Sequence, residues 1–142
     1  MALKLVRIDG EDPPEARDVR TRLDLWNVAR TGIADWAPMT IVLRDEDGAV
    51  RGGVLGSTWA GGLHVTILWV DEALRGRGHG RRLLEAAEAF GREHGCTHAK
   101  LDTFTFQAGP RFYEHLGWTV FGVIDDHPPG HRHYFLRKSL YL

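Results

Sequence analysis

Cysteine is nearly absent: Cys96 is the only one among 142 residues. No intrachain disulfide and no cysteine-built zinc cluster can form, and a reducing, cytoplasmic setting is the expectation. An excess of one charge is missing too. Eighteen Lys and Arg against nineteen Asp and Glu leave a formal net charge of -1. That balance gives no footing for general nucleic-acid binding or for a polybasic membrane anchor. No window approaches the roughly 18 uninterrupted apolar residues of a membrane span. The opening MALKLVRIDGEDPPEARDVR lacks the apolar stretch of a secretory signal. No repeat, low-complexity tract or long linker divides the chain, so one domain over residues 1–142 is expected.

What is present is globular in character. With 43% hydrophobic and 26% charged residues the chain can bury a core. Leu3 to Ile8 alternates imperfectly and reads as a first strand. Asp12-Pro13-Pro14-Glu15 then resembles a capping box with proline at the first helical position. Ala16, Val19, Leu23 and Trp26 recur at helical spacing as a stripe to be packed, and Gly32 ends that helix. Thr40 to Arg44 and Val50 to Ser57 read as a hairpin across Asp45-Glu46-Asp47-Gly48.

Leu63 to Val70 reads as a strand with His64 and Thr66 on one face and Leu63, Val65, Ile67 and Trp69 on the other. A helix follows, packing through Leu83, Leu84, Ala87 and Phe90 and stopping at Gly95. Then come a strand over His98 to Asp102, a short helix over Pro110 to Leu116, a strand over Trp118 to Ile124 and a last strand around His133 to Arg137. The order β-α-β-β-β-α-β-α-β-β predicts a mixed α/β (α+β) domain with helices covering a sheet.

The most informative stretch is Arg75-Gly76-Arg77-Gly78-His79-Gly80, between a strand and a helix start. Backbone N–H groups there lack intrahelical partners, and glycine permits dihedrals and close approach that a Cβ would block. A phosphate or diphosphate could accept several of those N–H groups in the favourable field of the helix terminus. Arg75 and Arg77 could add forked contacts to phosphate oxygens. The stretch lacks the Gly-Lys-Ser/Thr ending of a P-loop, and its spacing is not that of the dinucleotide fingerprint.

Together, Leu68-Trp69-Val70-Asp71, the Arg75–Gly80 turn, Leu83-Leu84 and Phe112-Tyr113-Glu114-His115-Leu116-Gly117-Trp118 resemble the GNAT superfamily of N-acetyltransferases. The resemblance is strong from Leu63 to Ile124 and compatible with the remainder. It implies a central, mixed and strongly twisted sheet whose splayed central strand pair forms a slot for acetyl-CoA. The cosubstrate contacts it implies are Leu68, Trp69 and Val70 through their main chains, with Arg75, Gly76, Arg77, Gly78, His79 and Gly80 around the diphosphate. Many relatives carry an asparagine seven residues before the tyrosine; here that position is Phe106, with Gln107 beside it as the substitute contact. The implied reaction is direct acetyl transfer, in a ternary complex, to a primary amine of a small molecule or peptide. A homodimer is implied as well. The alternative class is a nonenzymatic acyl-CoA-binding or interaction module.

Such chemistry needs a neutral amine, since an ammonium near its reference pKa of about 10.4 has no lone pair. Tyr113, within the family's Phe/Leu-Tyr-x-x-x-Gly signature, is the candidate acid for the departing sulfur and a cosubstrate contact. His64 is a candidate base because its reference pKa of about 6.5 suits proton transfer near neutrality. Asp102 or a chain of waters stands beside it as an alternative. Cys96 has no His/Asp arrangement of a covalent nucleophile around it. His127, His131 and His133 do not have the spacing of a known zinc cluster, and no metal is assigned.

Overall fold

Asp45 begins the sheet's first turn. Its carboxylate accepts the N–H groups of Asp47 and Ala49, its carbonyl accepts Gly48 N–H, and Gly48 takes φ 83. That turn joins β1 (Ala37–Arg44) to β2 (Val50–Trp59), and the positive-φ pair Ala60-Gly61 joins β2 to β3 (Gly62–Val70). Two residues at positive φ match the twist of the flanking strands, which is why so short a hairpin loop works. After a short 3-10 turn (Glu72–Leu74) come α2 (His79–Glu93), β4 (His98–Phe104), α3 (Gly109–Glu114), β5 (Thr119–Asp125) and β6 (Arg132–Ser139). A computed structural model describes Met1–Tyr141 and divides into two compact units, Met1–Ala34 and the chain from Asp35 onward.

In the first unit, α1 spans Pro14–Thr31 and stops at Gly32, which takes the left-handed φ of 71 and donates its N–H to Val28. Two expectations fail here. The stretch Leu3 to Ile8 forms no strand, because its weak alternation finds no pairing partner among the described residues. Asp12 does not cap the helix: its carboxylate is taken by Arg20 at 2.8 Å, and Pro13 holds the cap position instead. The apolar stripe forms, yet Val19, Leu23 and Trp26 are exposed, and Arg30 lies over the Trp26 ring at 4.1 Å.

The second unit carries one six-stranded sheet in the order β1-β2-β3-β4-β6-β5. All neighbours are antiparallel except β3 and β4, which gives the mixed sheet that the element order predicts. Leu83, Leu84 and Ala87 of α2 pack with Val54, Leu63, Val65, Ala99, Leu101 and Leu136 into the core. Glu88, also buried on α2, is paired with Lys138 at 2.6 Å, which ties that helix to β6. Cys96 is in the same core, and burial pushes its thiol pKa up, the reverse of what a thiolate nucleophile needs. No helix among the described residues is long and apolar enough to cross a membrane.

Two irregularities shape the middle of the sheet. First, β3 and β4 pair only at Gly62–His98, Leu63–Ala99 and His64–Lys100, and beyond His64 they part. Second, Leu55 faces Ile67 and Gly56 faces Val65, so Thr66 is an extra residue in a β-bulge. Its hydroxyl donates to the Leu55 carbonyl at 3.1 Å. A Cβ on Gly56 would run into the His64 carbonyl oxygen, so the close approach at the bulge requires glycine. The bulge also corrects the simple alternation expected for this strand. Leu63 and Val65 are buried, but Ile67 and Trp69 are largely exposed, while Leu68 and Val70 pack on the core. One extra residue moves every later side chain to the other face.

Candidate active site

Where β3 and β4 part, a cleft of about 440 Å³ opens. Thr66 to Val70 form one wall; Asp102, Thr103 and the turn after β4 form the other, and Gly80 and Arg75 stand with α3's Phe112 and Tyr113. From Val65 to Val70 the edge of β3 towards β4 has no strand partner, while β4 is paired with β6 along its whole length. Backbone groups of β3 are thereby left for an amide-bearing ligand, the same groups that β-augmentation uses elsewhere. Leu68 and Val70 put their side chains into the core and Trp69 keeps its own half exposed, so the main-chain role expected of all three is sterically open.

The glycine-rich turn lies next to the cleft. Gly76 and Gly78 adopt φ 77 and 83, with open space where their side chains would be. The first helical hydrogen bond runs from Arg82 N–H to the Gly78 carbonyl, so the N–H groups of residues 76 to 81 donate to no acceptor among the described residues. Six amides at the positive end of a 15-residue helix make an anion-binding surface. Gly80 is constrained differently: a Cβ there would lie 3.2 Å from the Phe112 ring. Arg75 is partly committed, since its Nε donates to the Val70 carbonyl at 2.9 Å and fixes the end of β3. Asp71 secures the same corner by accepting Ala73 N–H at 3.2 Å and pairing with Arg51 at 3.1 Å. Arg77 is exposed, and His79 sits 3.4 Å from Arg82.

Tyr113 is 5% exposed, packed edge-on against Phe112 and Trp118, and it lines the cleft. Burial, reinforced by the Asp102 charge, pushes its phenol up to about 12. It therefore keeps its proton at neutrality and is suited to act as a proton donor, not as a base. Gln107 has spent half of its capacity: its Oε1 accepts Phe104 N–H at 3.1 Å and the Thr103 hydroxyl at 3.3 Å. That bond shapes the turn after β4 and leaves the NH2 group for a ligand, fewer contacts than the sequence suggests.

His64 does not line this cleft. It faces a neighbouring cavity with His98 and Lys100, and its pKa is lowered by burial first and by Lys100 next, against a smaller opposite pull from Asp102. Asp102 does line the cleft, and its Oδ2 is 2.7 Å from His133 Nε2. The His133 ring is held between Phe104, stacked at 4.2 Å, and Phe135 at 4.4 Å, and its Nδ1 is buried without a partner among the described residues. The pairing joins residues 31 apart in the chain, so nothing local in the sequence could have announced it. His127 lies 5.5 Å from His133 and His131 stands edge-on to Phe106, so these imidazoles build an aromatic cluster. Among the described residues no group of three metal-ligating side chains comes together.

The parting parallel pair, the bulge beside it and the free amides at the following helix form one continuous site, and similarity to known proteins gives its class. The pattern of the acetyltransferase (GNAT) family matches residues 4–118, and the chain belongs to that family. It is 37% identical over 122 residues to an acetyltransferase of Agrobacterium fabrum, covering 86% of this chain and 88% of that one. It is 35% identical to the blasticidin-S acetyltransferase of Streptomyces morookaense, over 96% of both chains. Among solved structures, an acetyltransferase from Bacillus cereus superimposes with a TM-score of 0.81 at 33% identity, covering 94% of this chain and 97% of that one.

Proposed function

We propose that this protein transfers the acetyl group of acetyl-CoA to a primary amine of a small molecule, with both substrates bound at once. The observation that carries the reading is the continuity of free β3 edge, cleft and unbonded amides at residues 76 to 81. In this reading those amides and Arg77 take the diphosphate, with Arg75, His79 and the glycines shaping the turn. The main chain of Leu68, Trp69 and Val70 takes the pantetheine amides, helped by the Gln107 NH2 group. The small-molecule acceptor is supported by the blasticidin-S acetyltransferase, which matches over 96% of both chains at 35% identity.

The chemistry is a substitution at the thioester carbonyl. The amine nitrogen forms the C–N bond, the C–S bond breaks, the nitrogen loses one proton and the sulfur gains one. Tyr113 supplies the sulfur's proton from a phenol that stays protonated up to about 12. A main-chain N–H of Leu68 to Val70 holds the oxygen as charge develops on it. In this reading Asp102, which lines the cleft and is bonded to His133, receives the nitrogen's proton in place of His64. Turnover of acetyl-CoA across a diverse amine library, with product masses recorded, tests the reading. An N-acetylated product is expected. Tight acetyl-CoA binding with no product from any amine would instead mark a nonenzymatic acyl-CoA-binding module.

A homodimer fits the same family reading. β5 is an edge of the sheet and exposes Phe121, Val123 and Ile124. Light scattering would return twice 16.0 kDa for a dimer.

A further inference from the structure

At the end where β3 and β4 remain paired lies a second cavity, of about 350 Å³, lined by Ser57, Trp59, His64, His98 and Lys100. His64, His98 and Lys100 alternate with the buried Leu63, Ala99 and Leu101, so they point away from the side of the sheet covered by α2. Three nitrogen donors meet here with no carboxylate among them. Lys100 makes no ion pair among the described residues, and the one side-chain partner of His98 is the Thr97 hydroxyl at 3.4 Å. Two acids are nearby, and both are engaged. Asp102 is bonded to His133 at 2.7 Å, and Asp35 accepts Ala60 N–H at 3.0 Å.

We propose that this cavity is the subsite for an anionic oxygen group, a carboxylate or a phosphoryl, carried by the amine that is acetylated. The inference rests on the acetyl-transfer reading and names the acceptor's class within it. His64 and Lys100 are directly paired neighbours, and Thr66 and Asp102, which line the cleft, follow two residues further along the same strands. Two strand residues span about 6–7 Å. An acceptor bound across both cavities therefore presents its amine to Asp102 and its anion to Lys100, His98, His64 and the Ser57 hydroxyl, with several bonds between the two ends. A lysine ammonium beside a negative proton acceptor selects a zwitterion over a simple alkylamine, because each end then meets its opposite. His64 thus serves recognition. Lys100 beside it and burial both disfavour its protonated form until an anion arrives to compensate.

The test uses the full chain, acetyl-CoA and a series of linear amino acids with increasing separation between amine and carboxylate. Each is compared with its carboxamide and with the aminoalkylphosphonate of equal length. The acid of best-fitting length is expected to exceed its amide in kcat/KM by about tenfold, as a charge-assisted hydrogen bond would give. The His64 and His98 Cε1–H resonances are expected to shift on titration with that acid and to stay in place with the amide. Lys100→Met should bring the acid-to-amide ratio close to one, and Lys100→Arg should restore it. Whichever of carboxylate and phosphonate has the higher kcat/KM identifies the anion. Equal kcat/KM for acid and amide at every length discards the subsite and leaves acetyl transfer standing. No product from any amine, charged or neutral, overturns the acetyl-transfer reading, and the subsite falls with it.

Discussion

The β3–β4 pair has one end closed and one end open, and the two ends are chemically opposite. At the closed end the backbones bond to each other, and what remains for a ligand is side chains: His64, His98 and Lys100. At the open end the β3 edge toward β4 has no strand partner, and the wall carries Asp102 and a buried Tyr113. Opening a sheet exposes hydrogen-bonding groups that do not depend on residue identity. Closing it hands recognition to whichever side chains the register places there. In the proposed reading the open end holds the cosubstrate and the closed end selects the acceptor.

The comparison is broken most directly at its acidic wall. Asp102→Asn keeps the shape of the cleft but removes the proposed proton acceptor, and kcat/KM for acetyl transfer is expected to fall by about 10³-fold in steady-state assays. A fall of less than threefold would move the base elsewhere. The bulge between β2 and β3 comes next. Gly56→Val drives a side chain into the His64 carbonyl, and urea unfolding should report a loss of about 2–3 kcal/mol. Tyr113→Phe should lower kcat by about 10²-fold while leaving CoA affinity, read by calorimetry, near its starting value. Gly78→Glu puts negative charge beside the unbonded amides and should weaken CoA binding by about tenfold, read on the folded variant because φ 83 at this position also costs about 1–2 kcal/mol of backbone strain.

The smallest effect concerns pH. Tyr113 is raised from 10.0 to about 12 in the folded chain, so the unfolded chain gives up this proton first. Its contribution to stability is complete below pH 10 and is lost as pH rises from 10 to about 12. Tyr113→Phe should therefore flatten the alkaline decline of the urea midpoint over that window. An unchanged slope would mean that the phenol is not shielded as its burial suggests.

Much of this molecule was readable in advance. The Arg75–Gly80 turn, the strand before it and the amphipathic helix after it announce themselves because their signals are local: glycines where φ turns positive, apolar residues at helical spacing. Tyr113 is found the same way, from its neighbours in the chain. Three features were not legible. The bulge at Thr66 depends on how β2 meets β3, so a regular alternation placed Ile67 and Trp69 on the wrong face. Leu3 to Ile8 shows that a strand pattern without a partner is not a strand. The Asp102–His133 pair exists because β4 and β6 lie side by side, and it is this pair on the cleft wall that leads the proposed mechanism to Asp102 instead of His64.

By itself the order of residues determined the family, the sequence of elements within residues 35–141 and the place of the free amides, since helix ends, turns and packing stripes follow from short-range sterics and periodicity. Tertiary structure alone decided which charges stand together. Parting β3 from β4 after three pairs put Asp102 and Tyr113 on one cleft and His64, His98 and Lys100 in another cavity. Contacts between residues tens of positions apart depend on strand register, and register is a property of the folded sheet as a whole.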